Sequence, residues 1–177
     1  MDDILWLENI GRSDISTAGG KGAQLGELKK AGFNVPDGFV ITTRAYQEFA
    51  KGLKNTILSN LSGLDVENTE KLEKTSDRIQ KLIVSTAMPI EIEEDILEAY
   101  RKLGDPVAVR SSATAEDLPS ASFAGQQETY LNIRGEAALL EACKNCFASL
   151  FTNRAIVYRT EKKFDHFSVS QIGRAHV

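Results

Sequence analysis

Apolar residues in the middle of the chain recur at the spacing of amphipathic helices. Between Ser62 and Lys102 they return every three or four positions, in two runs separated by Met88-Pro89. The positions with this spacing are Leu72, Ile79, Leu82 and Ile83, and then Ile92, Ile96, Leu97, Tyr100 and Leu103. The second run ends at Gly104-Asp105-Pro106, because glycine and proline stop helices. The pattern predicts two surface helices with solvated charged faces.

Short apolar runs on both sides of this helical segment predict β-strands. The turn chemistry of Val35-Pro36-Asp37-Gly38 marks the start of one of them. The predicted strands are Ile4 to Leu7, Phe39 to Ile41, Val107 to Val109 and Thr129 to Ile133. Runs this short, bounded by turn residues, are typical of strands rather than helices.

Further helices are predicted between these strands. One opens at Gly19-Gly20-Lys21-Gly22, turns Leu25 and Leu28 inward, and stops at Gly32. A second helix begins at Thr42 or Thr43, and the helical pattern continues through Leu53, Ile57, Leu58 and Leu61. A later helix has its apolar positions on one face, at Leu139, Ala142, Cys143, Cys146, Phe147 and Leu150. Thr152 can cap one more helix. Because strands and helices intermix, we expect an α/β or α+β domain.

The composition is that of one globular domain or of a piece of a larger protein. The chain has 177 residues, of which 42% are hydrophobic, and a formal charge of −4. A chain of this size buries roughly 70% of its unfolded surface, so it needs no disulfide or metal to form a core. The segment from Ser62 to Lys102 holds ten acidic and six basic residues, which accounts for the whole −4. The segments on either side of it carry equal numbers of acidic and basic residues, so anion binding is expected in these flanks.

Charge and hydropathy also exclude classes of protein. An acidic chain is not expected to coat nucleic acid or to bind membranes through clustered Lys and Arg. Apolar runs stay well short of the ~20 residues of a membrane span, and Met1-Asp2-Asp3 is acidic where a secretory signal is basic. We therefore expect a cytoplasmic protein with neither nucleic acid nor membrane as a partner.

The glycine-rich segment Gly19-Gly20-Lys21-Gly22 is a candidate phosphate site. Glycines let the backbone approach a ligand closely, a helix start favours anions, and Lys21 adds a positive charge. It is not a Walker A loop, which needs glycine at the position of Ile15 and Ser or Thr at that of Gly22. A glycine-rich turn with a surface lysine remains the alternative.

The polar stretch from Arg110 to Thr129 is a second candidate anion site. A guanidinium at the end of a buried strand is suited to bidentate contact with phosphate. Ser111 and Ser112 follow it directly as candidate ligand-binding hydroxyls, and further hydroxyls lie at Thr114, Ser120, Ser122 and Thr129. A long loop inside a compact domain is usually functional, although an ordinary flexible connection is the alternative.

Two other features favour packing over chemistry. Cys143 and Cys146 form a CxxC pair, but both lie on the apolar face of a periodic helix, which predicts two small core residues. A zinc site would need further ligands, and the chain offers only His166 and His176. His166 stands beside aromatic residues, so we interpret it as a packing or capping residue.

Four separated blocks give the chain a family resemblance. They are Gly19 to Glu27, Val35 to Thr43, Arg110 to Thr129 and Ala148 to Ala155. In this order they resemble the nucleotide-binding domain of the phosphoenolpyruvate synthases, or pyruvate, water dikinases, from about Ile4 to Gln171. The rifampicin phosphotransferases share this domain and stay as the alternative. Pyruvate, phosphate dikinase is a further relative whose counterpart of the arginine loop lacks the Ala-Glu-Asp-Leu-Pro run.

The resemblance implies the first lobe of an ATP-grasp-type domain, truncated, that binds ATP with Mg²⁺. Carried over, Lys21 and Arg110 would hold the phosphates, while Gly125 and Thr129 would line the nucleotide site. No metal ligand is assigned in this chain. In the family, ATP, pyruvate and water give AMP, phosphoenolpyruvate and phosphate, a reaction of gluconeogenesis. The phosphoryl group passes through a histidine on a domain that this sequence does not contain, so no catalytic residue is assigned either.

We therefore interpret the chain as part of a larger ATP-dependent phosphotransferase that is inactive when alone. Pyruvate or another acceptor would bind to domains outside this sequence, and the longer enzyme is a candidate homo-oligomer. A nucleotide-binding module without chemistry and an inert interaction domain are the competing hypotheses.

The last six residues, 172–177, carry a separate prediction. The codons ATC GGA AGA GCA CAC GTC, from a common sequencing adapter, translate to the residues from Ile172 to Val177. We expect residues 1–171 to be natural sequence and residues 172–177 to be foreign to it.

Overall fold

The computed structural model describes residues 3–113, 128–163, 166–167 and 171–176. Its centre is a sheet of five strands in the order β1-β2-β5-β3-β4, in which every neighbouring pair is antiparallel. The strands are β1 Ile4–Trp6, β2 Gly38–Ile41, β3 Val107–Ala113, β4 Thr129–Ile133 and β5 Gln171–His176. An antiparallel sheet with helices packed on it is α+β, so the first of the two predicted classes is set aside.

Seven α-helices lie within the described residues, and the predicted ones are among them. They are α1 Ile15–Lys30, α2 Thr43–Lys51, α3 Lys54–Leu61, α4 Thr69–Ser85, α5 Ile90–Leu103, α6 Glu136–Ala148 and α7 Asn153–Glu161. The predicted caps are confirmed at Thr42 and Thr152, whose hydroxyls accept the Ala45 and Ala155 N–H groups at 3.5 and 3.4 Å. The acidic segment forms α4 and α5, with charged side chains exposed as predicted.

The larger core lies between one face of the sheet and helices α2 to α7. Alternate strand residues point into it, because successive side chains of a strand face opposite ways. On the sheet these residues are Phe39, Ile41, Val107, Val109 and Ala175, all buried. Ser76 of α4 adds a buried polar contact by donating a hydrogen bond to the Phe151 carbonyl at 2.7 Å.

Helix α1 covers part of the opposite face through its glycines. A Cβ at Gly26 would lie 2.3 Å from the Ile10 carbonyl oxygen, and one at Gly22 would lie 3.4 Å from Val40. Only a helix face without side chains can approach the chain this closely. The prediction that Leu28 faces inward is therefore wrong, since 42% of it is exposed.

Helix α1 consists of two helical runs joined at Gly19, and the run that carries Lys21 begins there, as predicted. The helix starts at Ile15 and is kinked at Gly19, which has a φ of 71° and a ψ of 164°. The glycine at this kink permits a backbone conformation that other residues rarely adopt.

Strand β5 lies between β2 and β3 and contains most of the residues predicted to be foreign. Ala175 pairs with Phe39 on one side and with Val109 on the other. Strand pairing uses backbone groups that any residue except proline supplies, so it does not test the origin of residues 172–177. Their foreign origin stays a prediction, to be tested on the coding DNA.

Within the described residues, no helix combines the length and the apolar character that a membrane crossing requires.

Candidate functional site

Arg110 and Thr129, two of the residues predicted to bind nucleotide, are direct partners across strands β3 and β4. Opposite residues of an antiparallel pair project from the same face of the sheet, with Cβ atoms about 4.5–5.5 Å apart. Both residues are exposed. The structure therefore places a cationic and a hydroxyl side chain next to each other on an open surface.

This surface belongs to the same face of the sheet as helix α1. Val40 of β2 pairs with position 174 of β5, and position 174 pairs in turn with Arg110 of β3. Paired positions project from the same face of the sheet. Gly22 of α1 lies over Val40, and α1 also packs against β3 and β5. Lys21, next to Gly22, is half-buried. The helix of one predicted phosphate ligand and the strand of the other thus meet on one side of the sheet.

An exposed apolar residue lies beside the pair. Leu131 follows Thr129 by two positions, which puts it on the same face, and 66% of it is exposed. Asn132, with a φ of 55°, then interrupts the pairing with a bulge before Ile133. The described part of this face offers a cation, a hydroxyl and an apolar surface side by side, which suits a ligand with a charged end and an apolar end.

Ser111 points the other way, so its predicted role needs revision. It is 2% exposed and lies on the side of the large core. Its hydroxyl accepts the Glu128 N–H at 3.1 Å, and its own N–H donates to the Glu128 carbonyl at 3.1 Å. A hydroxyl engaged within the sheet, on the face opposite to Arg110, is not presented to a phosphate at Arg110.

The structure does not describe the side chains of several predicted ligands. Gly125 falls outside the described residues, as do the loop hydroxyls Thr114, Ser120 and Ser122. For Ser112 the structure describes only the backbone, which is part of β3 and pairs with β5. Their roles stay predictions.

Among the described residues, two of the clefts that lie away from the Arg110–Thr129 pair exceed 500 Å³. One, of about 540 Å³, lies between α4, α6 and the start of β4, on the face opposite to Arg110. Burial, together with the nearby Cys146 and Glu128, raises the pKa of Tyr130, which lines it, to about 12. The other, of about 560 Å³, runs along the outer side of α1 beside Ile15, Gly20 and Leu28. Helical spacing missed this groove because it assigned Leu28 to the core.

The packing roles predicted for the cysteines are confirmed. Cys143 and Cys146 are buried free thiols, and burial raises the pKa of Cys143 to about 12. His166 accepts a hydrogen bond at its Nδ1 from Nε of the fully buried Arg159, at 3.2 Å. This contact agrees with the packing role predicted for His166.

Comparison with known proteins shows the family. The family model for the pyruvate phosphate dikinase AMP/ATP-binding domain matches residues 15–171. The chain belongs to this family. The resemblance found in the four sequence blocks is thereby confirmed. The α+β architecture described above is therefore that of an AMP/ATP-binding domain of this family.

The names of proteins similar to this chain agree with the family model. The chain is 51% identical over 179 residues to a probable phosphoenolpyruvate synthase of Methanocaldococcus jannaschii, covering 96% of this chain and 15% of the relative. It is 54% identical to one of Archaeoglobus fulgidus, covering 94% and 23%, and 48% identical to the phosphoenolpyruvate synthase of Aquifex aeolicus, covering 94% and 21%. The chain thus spans only about a fifth of the length of these relatives.

Proposed function

We propose that this chain binds the phosphates of ATP for an ATP-dependent phosphotransferase of the phosphoenolpyruvate synthase type. The observation that carries the proposal is the pairing of Arg110 with Thr129 on the face of the sheet that also carries helix α1 and Lys21. Membership of an AMP/ATP-binding family supports ATP as the ligand. The names of the relatives support phosphoenolpyruvate as the product of the longer enzyme.

In this proposal the chain contributes positioning and charge. Phosphoryl transfer depends mainly on holding the reacting groups in line and on neutralising the charge of the phosphates. The planar guanidinium of Arg110 suits a bidentate contact with phosphate oxygens, and Lys21 adds a compact positive charge. Thr129 offers a hydroxyl beside Arg110. Transfer to a histidine, and then to pyruvate, would take place on domains outside this sequence.

Magnesium is assigned to the substrate rather than to the chain. Among the described residues, no group of three or more His, Cys, Asp or Glu side chains is placed to hold a metal ion. Mg²⁺ would arrive bound to the phosphates of ATP, and the ATP-grasp arrangement would require a second lobe to close over it.

Calorimetry with Mg·ATP tests the nucleotide site. Arg110→Ala and Lys21→Ala should each weaken binding by about 1.5–3 kcal/mol, the usual contribution of a charged hydrogen bond. Arg101→Ala is the matched control, because Arg101 is an exposed arginine of α5 that pairs with Glu136 at 2.7 Å. Circular dichroism should show that all variants are folded. Unchanged affinity in both site variants would contradict the assignment.

The proposed reaction of the longer enzyme needs a separate test on the full-length gene product. AMP release that depends on pyruvate is the expected result. AMP release that is independent of pyruvate, or binding of ATP with no release, would contradict the synthase activity.

A further inference from the structure

Ser111 holds the end of strand β4 in place immediately beside the Arg110–Thr129 pair. Its N–H donates to the Glu128 carbonyl at 3.1 Å, as expected for an antiparallel pair. The reciprocal bond from the Glu128 N–H goes to the Ser111 hydroxyl, also at 3.1 Å, where a regular ladder would use the carbonyl. The side chain therefore closes the ladder where β4 begins.

The Ser111 end of this contact is shielded from water, whereas Glu128 is exposed. Ser111 is 2% exposed, so solvent does not compete freely for its hydroxyl. Removing the hydroxyl would leave the Glu128 N–H without this acceptor. The bond therefore ties the backbone of Glu128 to Ser111 where β4 begins.

The position of Glu128 determines that of Thr129. Thr129 follows Glu128 in β4, and Arg110 precedes Ser111 in β3, so the two pairs are neighbours in the ladder. Hydrogen-bonded and non-hydrogen-bonded pairs alternate in an antiparallel ladder. Arg110 and Thr129 then form a non-hydrogen-bonded pair, the type in which side chains lie closer together.

Strand β4 takes its register from its pairing with β3 and from the packing of Tyr130 and Ile133 against the large core. It is the last strand in the order of the described sheet, so β3 is its one strand neighbour there. At its other end, the bulge at Asn132 already shifts the pairing. A one-residue slip would move Thr129 to the opposite face, because successive side chains alternate.

We propose that Ser111 is a positioning residue for the nucleotide phosphates. Its hydroxyl acts through the backbone of Glu128 to hold Thr129 beside Arg110, and it does not touch the phosphates itself. The inference rests on the proposed function, since it assumes that Arg110 and Thr129 bind the phosphates. It replaces the ligand role that the sequence predicted for Ser111.

The experiment measures Mg·ATP affinity and amide exchange in the 177-residue chain. Ser111→Ala should weaken Mg·ATP binding by about 5- to 30-fold, the factor that corresponds to one or two kcal/mol. It should also speed hydrogen exchange at the Glu128 amide in NMR spectra. Ser111→Thr keeps the hydroxyl and should restore both properties. Ser111→Val has nearly the same shape as threonine without the hydroxyl, and should behave like alanine.

Non-additivity separates positioning from a general loss of stability. If Ser111 acts by placing Thr129, then Thr129→Ala should weaken Mg·ATP binding much less in the Ser111→Ala background than in the wild type. Additive losses would overturn the proposal. If Ser111→Ala does not fold, the threonine and valine variants provide the same comparison, and equal affinity for Mg·ATP in those two variants would also overturn it.

Controls distinguish this proposal from the proposed function. If Arg110→Ala and Lys21→Ala weaken binding while Ser111→Ala and Ser111→Val do not, the nucleotide site stands and the role of Ser111 is refuted. If Arg110→Ala, Lys21→Ala and Thr129→Ala all bind Mg·ATP as the wild type does, the nucleotide site itself fails and the role of Ser111 fails with it.

Discussion

Arg110 and Thr129 face each other across two antiparallel strands, although the whole polar stretch between them separates them along the chain. The two ends of that stretch therefore meet at one point of the sheet. Each residue alone is an ordinary exposed side chain, but the pair places a cation and a hydroxyl where both can reach the same group of oxygens.

Sharing a ligand should make the two residues energetically dependent. We predict that Arg110→Ala and Thr129→Ala show a coupling of about 0.5–3 kcal/mol in Mg·ATP binding, as is usual for side chains in contact with a common partner. Calorimetry on the two single variants and the double variant measures it. A coupling of zero, with both single variants impaired, would place the two side chains on different parts of the ligand.

The close approach of helix α1 to the chain around Ile10 should make Gly26 intolerant of any side chain. A Cβ there would lie 2.3 Å from the Ile10 oxygen and 2.9 Å from the Leu7 oxygen, both of them backbone atoms. We predict that Gly26→Ala lowers the free energy of unfolding by about 1–3 kcal/mol, the usual cost of overpacking. Urea denaturation followed by circular dichroism provides the measurement.

Gly52 is the control for this prediction. It ends helix α2 with a φ of −70°, and a Cβ there would meet no atom within 4 Å. Gly52→Ala should therefore be neutral, or should stabilise by about 0.4–1 kcal/mol, because alanine restricts the unfolded chain. Equal destabilisation by the two substitutions would contradict the packing of α1.

The Tyr100 hydroxyl connects three segments at the end of the sheet away from Arg110. It accepts the Gly135 N–H at 2.6 Å and donates to the Asp105 carboxylate, next to the start of β3. We predict that Tyr100→Phe lowers the free energy of unfolding by about 1–3 kcal/mol, because the Gly135 N–H loses its acceptor. Thermal and urea denaturation measure the loss.

Tyr130→Phe serves as the comparison for Tyr100. The Tyr130 hydroxyl borders the cleft beside α4 and has no hydrogen-bond partner among the described residues. Its removal should change stability by less than about 0.5 kcal/mol. If Tyr130→Phe lowers the free energy of unfolding as much as Tyr100→Phe does, the loss at Tyr100 does not come from its hydrogen bonds.

The buried thiol of Cys143 should make stability fall in alkali. Burial raises its pKa from 9.0 to about 12, so the unfolded chain loses this proton at a lower pH than the folded one. The contribution is complete below pH 9 and is lost progressively as the pH rises toward 12. Cys143→Ala should reduce the fall in stability by about 1.4 kcal/mol per pH unit in that window.

Urea denaturation of wild type and Cys143→Ala across this pH range checks the slope. A thiol reagent provides an independent readout, because a buried, protonated thiol reacts slowly in the folded protein and rapidly after unfolding. Parallel stability curves for the two proteins would contradict the shift.

Local patterns in the sequence predicted the secondary structure well. The contiguous apolar run at Phe39 and the cap at Thr42 each depend on a few neighbouring residues, so strand β2 and helix α2 follow from the sequence. Leu28 was misplaced because helical spacing assumes that the bulkiest apolar residues face the core. In α1 the buried face consists of glycine and alanine, and its partners are the distant Ile10 and Val40.

The candidate site divides in the same way. The sequence by itself determined that Lys21, Arg110 and Thr129 are present beside glycines and hydroxyls, and its blocks of residues determined the family. Only the tertiary structure decided that Arg110 meets Thr129 on the face of α1, while Ser111 turns to the opposite face and binds Glu128. The reason is physical, because residue type and spacing are local properties, whereas strand register and sheet face arise from hydrogen bonds between segments that are far apart in the chain.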